Sequence, residues 1–189
     1  MTLTDRQLEL FDFVKDHHGE QKRKYSNAPY WTHLLAVAEI VNGYSGIELG
    51  IEIALCHDLL EDTKCTSEDL EAYLLSHFYN PEETQIIVRD VIHLTDQYTH
   101  EAYPDKNRAE RKKLEAERLI GITANAQSVK YADVIDNTSS IVKNDPGFAR
   151  VYIKEIAAKI HQMNKGNQKL YKRCLESVDQ AVKELKIVI

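Results

Sequence analysis

His57 and Asp58 stand next to each other in IELGIEIALCHDLLED, a stretch that begins amphipathic and turns almost continuously apolar around them. An aspartate is almost never fully buried unless it is paired or bound to a metal, so this pair needs a compensating partner. Two further polar side chains are aimed inward by their settings. His33 lies on a helix whose apolar face carries Leu34, Val37 and Ile40, and Asp133 lies in SVKYADVIDN between Val129, Ala132 and Val134. Two imidazoles and two carboxylates make a mixed nitrogen and oxygen site, suited to one divalent ion such as Mn²⁺, Fe²⁺, Co²⁺ or Zn²⁺ with positions left open to water. Glu61 and Asp62, three and four residues beyond Asp58, fall one helical turn on, where carboxylates would orient or deprotonate that water. Taken singly, each residue has a plainer reading. His33 reads as a satisfied core histidine, Asp133 as a cap or a partner for Lys130, and Glu61 and Asp62 as solvation of a helix end. Their conjunction on apolar helices points to the metal.

Basic residues flank this set. Lys22, Arg23 and Lys24 immediately precede the His33 helix and can reach the mouth of the site, to meet phosphate oxygens or stack a guanidinium on a base. Arg108, Arg111 and Lys112 could do the same, or could form a solvated helix face.

The elements that must position these groups are helical. Seven glycines and four prolines are too few for a turn-rich β chain, and apolar residues recur mostly at three- and four-residue spacing. The pattern predicts a first helix from about Thr4 to His18, burying Leu8, Phe11 and Val14 and ended by Gly19. The loop GEQKRKYSNAP leads through Pro29 into the His33 helix, and one central helix carries His57 and Asp58. Asn80-Pro81 opens a helix to about Leu94, residues 98–107 form a polar loop, and NRAERKKLEAERL forms a solvated helix with a basic face. A Thr-x-x-Asp pattern at Thr66 reads as an N-cap, and Asp145-Pro146 opens two further helices separated near Gly166. Those last two helices are expected to pack over the core without contributing chemistry.

Composition bounds the rest. A chain of 189 residues, 43% hydrophobic and 29% charged, fits a single all-α helical-bundle domain over residues 1–189. No segment is long and apolar enough to span a bilayer, and the N-terminus lacks a signal-peptide pattern, so a cytoplasmic location is expected. Cys56, Cys65 and Cys174 are an odd number without CxxC spacing, which argues against a disulfide framework and a thiolate zinc site. A formal net charge of -6 speaks against a broad nucleic-acid surface, while a local basic patch could still bind a small phosphorylated ligand.

The order and content of HHGEQKRKYSNAPYWTHLLAVAEIV, IEIALCHDLLEDTKCT, NRAERKKLEAERL and SVKYADVIDNTSSI, over about residues 17 to 142, resemble the HD-superfamily hydrolases. Within that superfamily, PYWTH, HDLLEDT and KYADVIDN resemble the alarmone-hydrolase domain of RelA/SpoT homologues and the small alarmone hydrolases. The resemblance implies an HD-type bundle, one Mn²⁺ bound by His33, His57, Asp58 and Asp133, and an acidic pair, Glu61 and Asp62, that promotes attack by water. It implies that Asn137 contacts the ligand and that Arg23, or Lys24 if the loop is one residue longer, stacks on the guanine. It also implies an activity, hydrolysis of the 3′-pyrophosphate of guanosine tetra- or pentaphosphate to pyrophosphate and GDP or GTP. The chain departs from the family in having Asn27-Ala28 where Gly-Glu is usual, and KYADVIDN where KLADRLHN is usual. Hydrolysis of another nucleotide, or metal-dependent sensing without turnover, are the competing expectations.

Overall fold

The computed structural model describes residues 1–24 and 26–188. Among them lie ten helices and no strand, so the all-α expectation is borne out. α1 (Asp5–His18) starts where the Thr4 backbone N–H donates to the Gln7 side chain, 3.0 Å away, and ends at Gly19 in a positive-φ conformation. Its buried face is Gln7, Leu10, Phe11, Val14 and His18. Leu8, expected inside, is exposed, because the face that meets the core is centred on Leu10, Val14 and His18 and position 8 lies about 100° round the helix from its centre.

The following loop folds back on itself. The Arg23 N–H donates to the Ala28 carbonyl (2.8 Å), the Asn27 N–H to the Arg23 carbonyl (3.1 Å), and Lys22 and Pro29 form an isolated antiparallel bridge. Asn27 sits at φ 54°, a left-handed conformation that asparagine tolerates better than most residues. α2 (Trp31–Asn42) then carries His33 on its buried face with Leu34, Val37, Ala38 and Val41.

The expected central helix is instead broken in two. α3 (Gly50–Cys56) ends at the metal-type pair, and α4 (Leu59–Asp62) is a single turn beginning after Asp58, whose backbone sits at φ -103° and ψ 0°. The break has a physical reason. Consecutive residues of an unbroken helix diverge by about 100°, whereas the kink brings His57 Nε2 and Asp58 Oδ2 within 3.0 Å. α5 (Ser67–Ser76) begins at Thr66, whose side chain and that of Asp69 cap each other as expected. α6 (Pro81–Leu94) starts at the Asn80 cap, and α7 (Arg108–Gly121) at the Asn107 cap, each with a reciprocal glutamate three residues on.

α8 (Ala124–Asn144) is the central pillar, packing against α2, α3, α6, α9 (Pro146–Ile160) and α10 (Gln168–Glu184). One contiguous apolar core runs from Leu10 to Leu185 through all of these helices. Gly166, between α9 and α10, lies so close to α8 that a Cβ there would stand 2.6 Å from the Tyr131 ring and 2.7 Å from Ser128 Oγ. Only glycine allows that approach, which lays α10 along α8. No helix among the described residues is long and apolar enough to cross a membrane.

Candidate metal centre and active site

α2, the α3–α4 break and α8 deliver their polar side chains to one point. His33 Nε2 is 3.7 Å from Asp58 Oδ2 and 3.2 Å from Asp133 Oδ1, and His57 Nε2 is 3.0 Å and 3.9 Å from the same two oxygens. Ligand atoms about 2.1 Å from a shared ion stand roughly 3 Å apart, so this clustering has the dimensions of a coordination sphere. The donor atoms of His33, His57 and Asp58 all lie within 4.8 Å of one another.

Both imidazoles present the nitrogen a cation needs. His57 Nδ1 bonds the Ala54 carbonyl at 2.7 Å and His33 Nδ1 bonds Asp136 Oδ2 at 2.7 Å. Each acceptor holds a proton on Nδ1 and leaves the Nε2 lone pair directed at the centre. His57 Nε2 is fully buried and has no hydrogen-bond partner, since Asp58 Oδ2 is near but not aligned with it. A buried polar atom without a partner is costly, and a divalent cation is the group that would satisfy this one. The donor set therefore fits a divalent metal.

Without such an ion, protons take its place. Burial lowers the His33 pKa, but the carboxylates of Asp133, Asp136 and Asp58 outweigh it and bring it up to about 9. Burial likewise opposes the charged forms of Asp58 and Asp133, yet the surrounding cations hold both carboxyls far below their ordinary range. His57 does this chiefly for Asp58, and Lys130 for Asp133. The acidic groups are thus ionised and ready to coordinate.

A cavity of about 770 Å³ opens on one side of this centre. Asp58, Asp133, Glu61 and Asn137 line its inner end, Arg108, Lys112 and Lys113 of α7 one wall, and Phe148, Tyr152 and Lys159 of α9 another. Glu61 accepts the backbone N–H of Asp96 at 2.9 Å, and Asp96 is itself paired with Lys112 Nζ at 2.9 Å. Although the cavity lets water reach Glu61, the protein around it is close. Burial first, then the Asp96 and Asp58 charges, push its carboxyl up to about 7. Asp62 points away and accepts from Gln21 Nε2 at 3.1 Å. The two acidic residues expected to act as a pair are thereby separated, because the one-turn α4 turns them to different neighbours.

Asn137 donates its amide to Asp133 Oδ1 at the cavity floor, and Lys130 donates to Asp133 Oδ2 at 2.8 Å. The salt-bridge reading of Asp133 is met through Oδ2, while Oδ1 is the oxygen that approaches the two imidazole nitrogens. Arg23 is turned to Asp136 Oδ2 at 2.7 Å and does not line the cavity. Lys24 reaches toward the ring of Phe148, which does line it, at 5.3 Å from the ring centre.

Several site residues escaped the sequence reading. Tyr30 donates its hydroxyl to Asp58 Oδ2 at 2.7 Å and stacks on His18. Asp136 supports His33. Tyr152 and Lys159 come from α9, which its sequence shows only as a core-packing helix; one of its faces is a cavity wall. Burial and the nearby Lys130 and Lys112 bring the Lys159 pKa down to about 8.

No protein-family model matches the chain. Relatives do. A protein of Xenopus tropicalis named guanosine-3′,5′-bis(diphosphate) 3′-pyrophosphohydrolase MESH1 is 30% identical over 152 residues, which cover 78% of this chain and 76% of the relative. The chain belongs to this pyrophosphohydrolase family. The human MESH1 pyrophosphohydrolase is 27% identical over 186 residues, covering 96% of each chain. A solved structure described as a metazoan ortholog of SpoT that hydrolyzes ppGpp shares the fold, with a TM-score of 0.75 over 100% of this chain and 99% of that one at 22% identity.

Proposed function

We propose that this protein hydrolyses the 3′-pyrophosphate of guanosine 3′,5′-bis(diphosphate) or its pentaphosphate counterpart, releasing pyrophosphate and GDP or GTP, with one Mn²⁺ as its cofactor. The observation that carries the reading is the convergence of His33, His57, Asp58 and Asp133 at the floor of a cation-walled cavity, with the raised-pKa carboxyl of Glu61 beside them. The relatives' names supply the substrate class.

The four ligands would hold the ion, whose chemistry is to polarise a phosphoryl oxygen and make water a better nucleophile. Everything else is done by the chain's own groups. Glu61, oriented by the Asp96 N–H, accepts a proton from the attacking water. The water oxygen bonds to the phosphorus next to the ribose, the bond from that phosphorus to O3′ breaks, and O3′ takes up the proton as pyrophosphate leaves. Tyr30 fixes Asp58 by its 2.7 Å hydrogen bond, and Lys130 and Asn137 fix Asp133. Lys112 and Lys159 on the walls, and Lys24 at Phe148, face the substrate's phosphates. Asp62 acts at one remove, holding the start of the basic loop through Gln21.

Incubation of the Mn²⁺-loaded protein with guanosine tetraphosphate, its adenine counterpart and a nucleotide panel, followed by ion-exchange chromatography and mass spectrometry, tests the substrate. Pyrophosphate and GDP are the expected products, and turnover confined to another nucleotide would overturn the base assignment. Asp58→Ala is expected to abolish metal binding and turnover together, and retention of full activity would remove the site itself.

A further inference from the structure

The basic loop and the metal centre are joined through a single carboxylate oxygen. Asp136 Oδ2 lies 2.7 Å from His33 Nδ1 and 2.7 Å from Arg23 Nη2. The His33 ring is almost wholly enclosed, and the Arg23 and Asp136 side chains keep only 16% and 17% of their exposure, so little water competes for either contact. Arg23 is held from behind as well. Its N–H and its carbonyl are both bonded across the loop, to Ala28 and Asn27. An arginine clamped at its backbone and ion-paired at its tip is a poor candidate for a mobile group that follows a ligand, and it stands outside the cavity lining.

We infer that Arg23, Asp136 and His33 form a positioning relay for the metal, in which Arg23 pins the Asp136 carboxylate and Asp136 holds His33 with Nε2 turned into the centre. The inference rests on the metal-site reading given above. It gives Arg23 a different task from stacking on the base, because its guanidinium is committed to a carboxylate that the KLADRLHN pattern of the resembling hydrolases lacks. The carboxylate has two neighbours that matter. Its Oδ2 serves both, 2.7 Å from His33 Nδ1 and 2.7 Å from Arg23 Nη2. Removing Arg23 leaves that charge partly buried with one partner fewer, free to rotate off His33. Outer carboxylates of this kind typically change metal affinity by about 10- to 100-fold when lost.

The test is Mn²⁺ binding to the full chain, read by the electron paramagnetic resonance signal of the free ion, for the parent, Asp58→Ala, Asp136→Asn, Arg23→Ala, Arg23→Lys and the double variant Arg23→Ala with Asp136→Asn. Circular dichroism and thermal unfolding of the chelated proteins show which variants are folded. Asp136→Asn keeps the side chain's shape and is expected to raise the Mn²⁺ Kd by about 10-fold or more. Arg23→Ala should raise it roughly 3- to 10-fold, Arg23→Lys less, and the double variant no more than Asp136→Asn alone, since Arg23 acts through Asp136. A general loss of packing would add in the double variant instead. An Arg23→Ala protein that binds Mn²⁺ like the parent while its KM for guanosine tetraphosphate rises would make Arg23 a base contact and overturn the relay. If the parent and Asp58→Ala bound Mn²⁺ equally weakly, the metal site itself would be wrong and the relay would fall with it.

Discussion

Glu61 shows how one residue's surroundings can suit it to a task. An ordinary carboxyl is a weak base at neutral pH, but burial and the charges of Asp96 and Asp58 hold this one at about 7, where it can take a proton from water and return it. Its basic form is present above that pKa, so kcat is expected to rise with pH through about 7 and then level. Glu61→Gln keeps the side chain's size and leaves the proposed donors His33, His57, Asp58 and Asp133 in place. Mn²⁺ binding should stay within about two-fold of the parent while kcat falls roughly 100- to 1,000-fold and the acidic limb disappears. Metal titration beside a pH–rate profile separates these effects. A variant that retained the limb would place the titrating group elsewhere, and one that lost the metal would make Glu61 a ligand. The sequence placed Glu61 and Asp62 together by counting residues along a helix. The count holds for the backbone, since the Asp62 N–H bonds the Asp58 carbonyl at 2.9 Å, but it does not show that the Asp62 side chain meets Gln21 while Glu61 meets Asp96.

At the scale of elements, α9 faces the core with Ile153, Ile156 and Ile160 and the cavity with Tyr152 and Lys159. A lysine with a pKa of about 8, against 10.5 for an ordinary one, destabilises the fold in its charged form. That cost is absent above pH 10.5 and is felt in full once pH has fallen below 8. Lys159→Met should therefore stabilise the ligand-free protein at pH 7 by on the order of 1–3 kcal/mol. For a chain of this size that is a rise in Tm of about 2–12 °C, and the advantage should fade toward pH 10.5. The same variant should raise KM for guanosine tetraphosphate by about 10-fold or more, since a cation facing the phosphates is lost. A lower Tm together with an unchanged KM would make Lys159 a structural residue. Element starts were legible in the sequence because caps are local. Thr4, Thr66, Asn80, Asn107 and Asp145 each stand within a few residues of the groups they cap. The helix break at Asp58 and the cavity-facing side of α9 were not, because each is decided by partners far along the chain. Apolar periodicity shows which face of α9 is buried, but not that Lys159 on its flank shares a cavity with Lys112 and Lys130.

For the whole molecule, the centre ties together three parts of the chain, the helix of His33, the kink at His57 and Asp58, and the pillar carrying Asp133, so metal binding and folding are linked. In chelated protein the proton on His33 partly replaces the ion. Its folded pKa of about 9 lies above the ordinary value of 6.5, so the stabilisation it contributes is complete below pH 6.5 and is lost as pH rises through 9. Metal has the opposite dependence, because the ion needs Nε2 without its proton and binds more tightly as pH rises. The chelated protein's Tm should therefore fall between pH 6 and pH 8.5, while the Mn²⁺-loaded protein's Tm should fall less or hold. The difference between them should widen to roughly 5–10 °C once free Mn²⁺ exceeds its Kd about 100-fold. Differential scanning calorimetry at several pH values, with chelator or with Mn²⁺, measures both curves on one preparation. A gap that stayed constant across this range would mean that the ion displaces no proton from an imidazole. His33 and His57 would then be core histidines, as each would be judged if met alone, and the carboxylates would have to hold the metal without them.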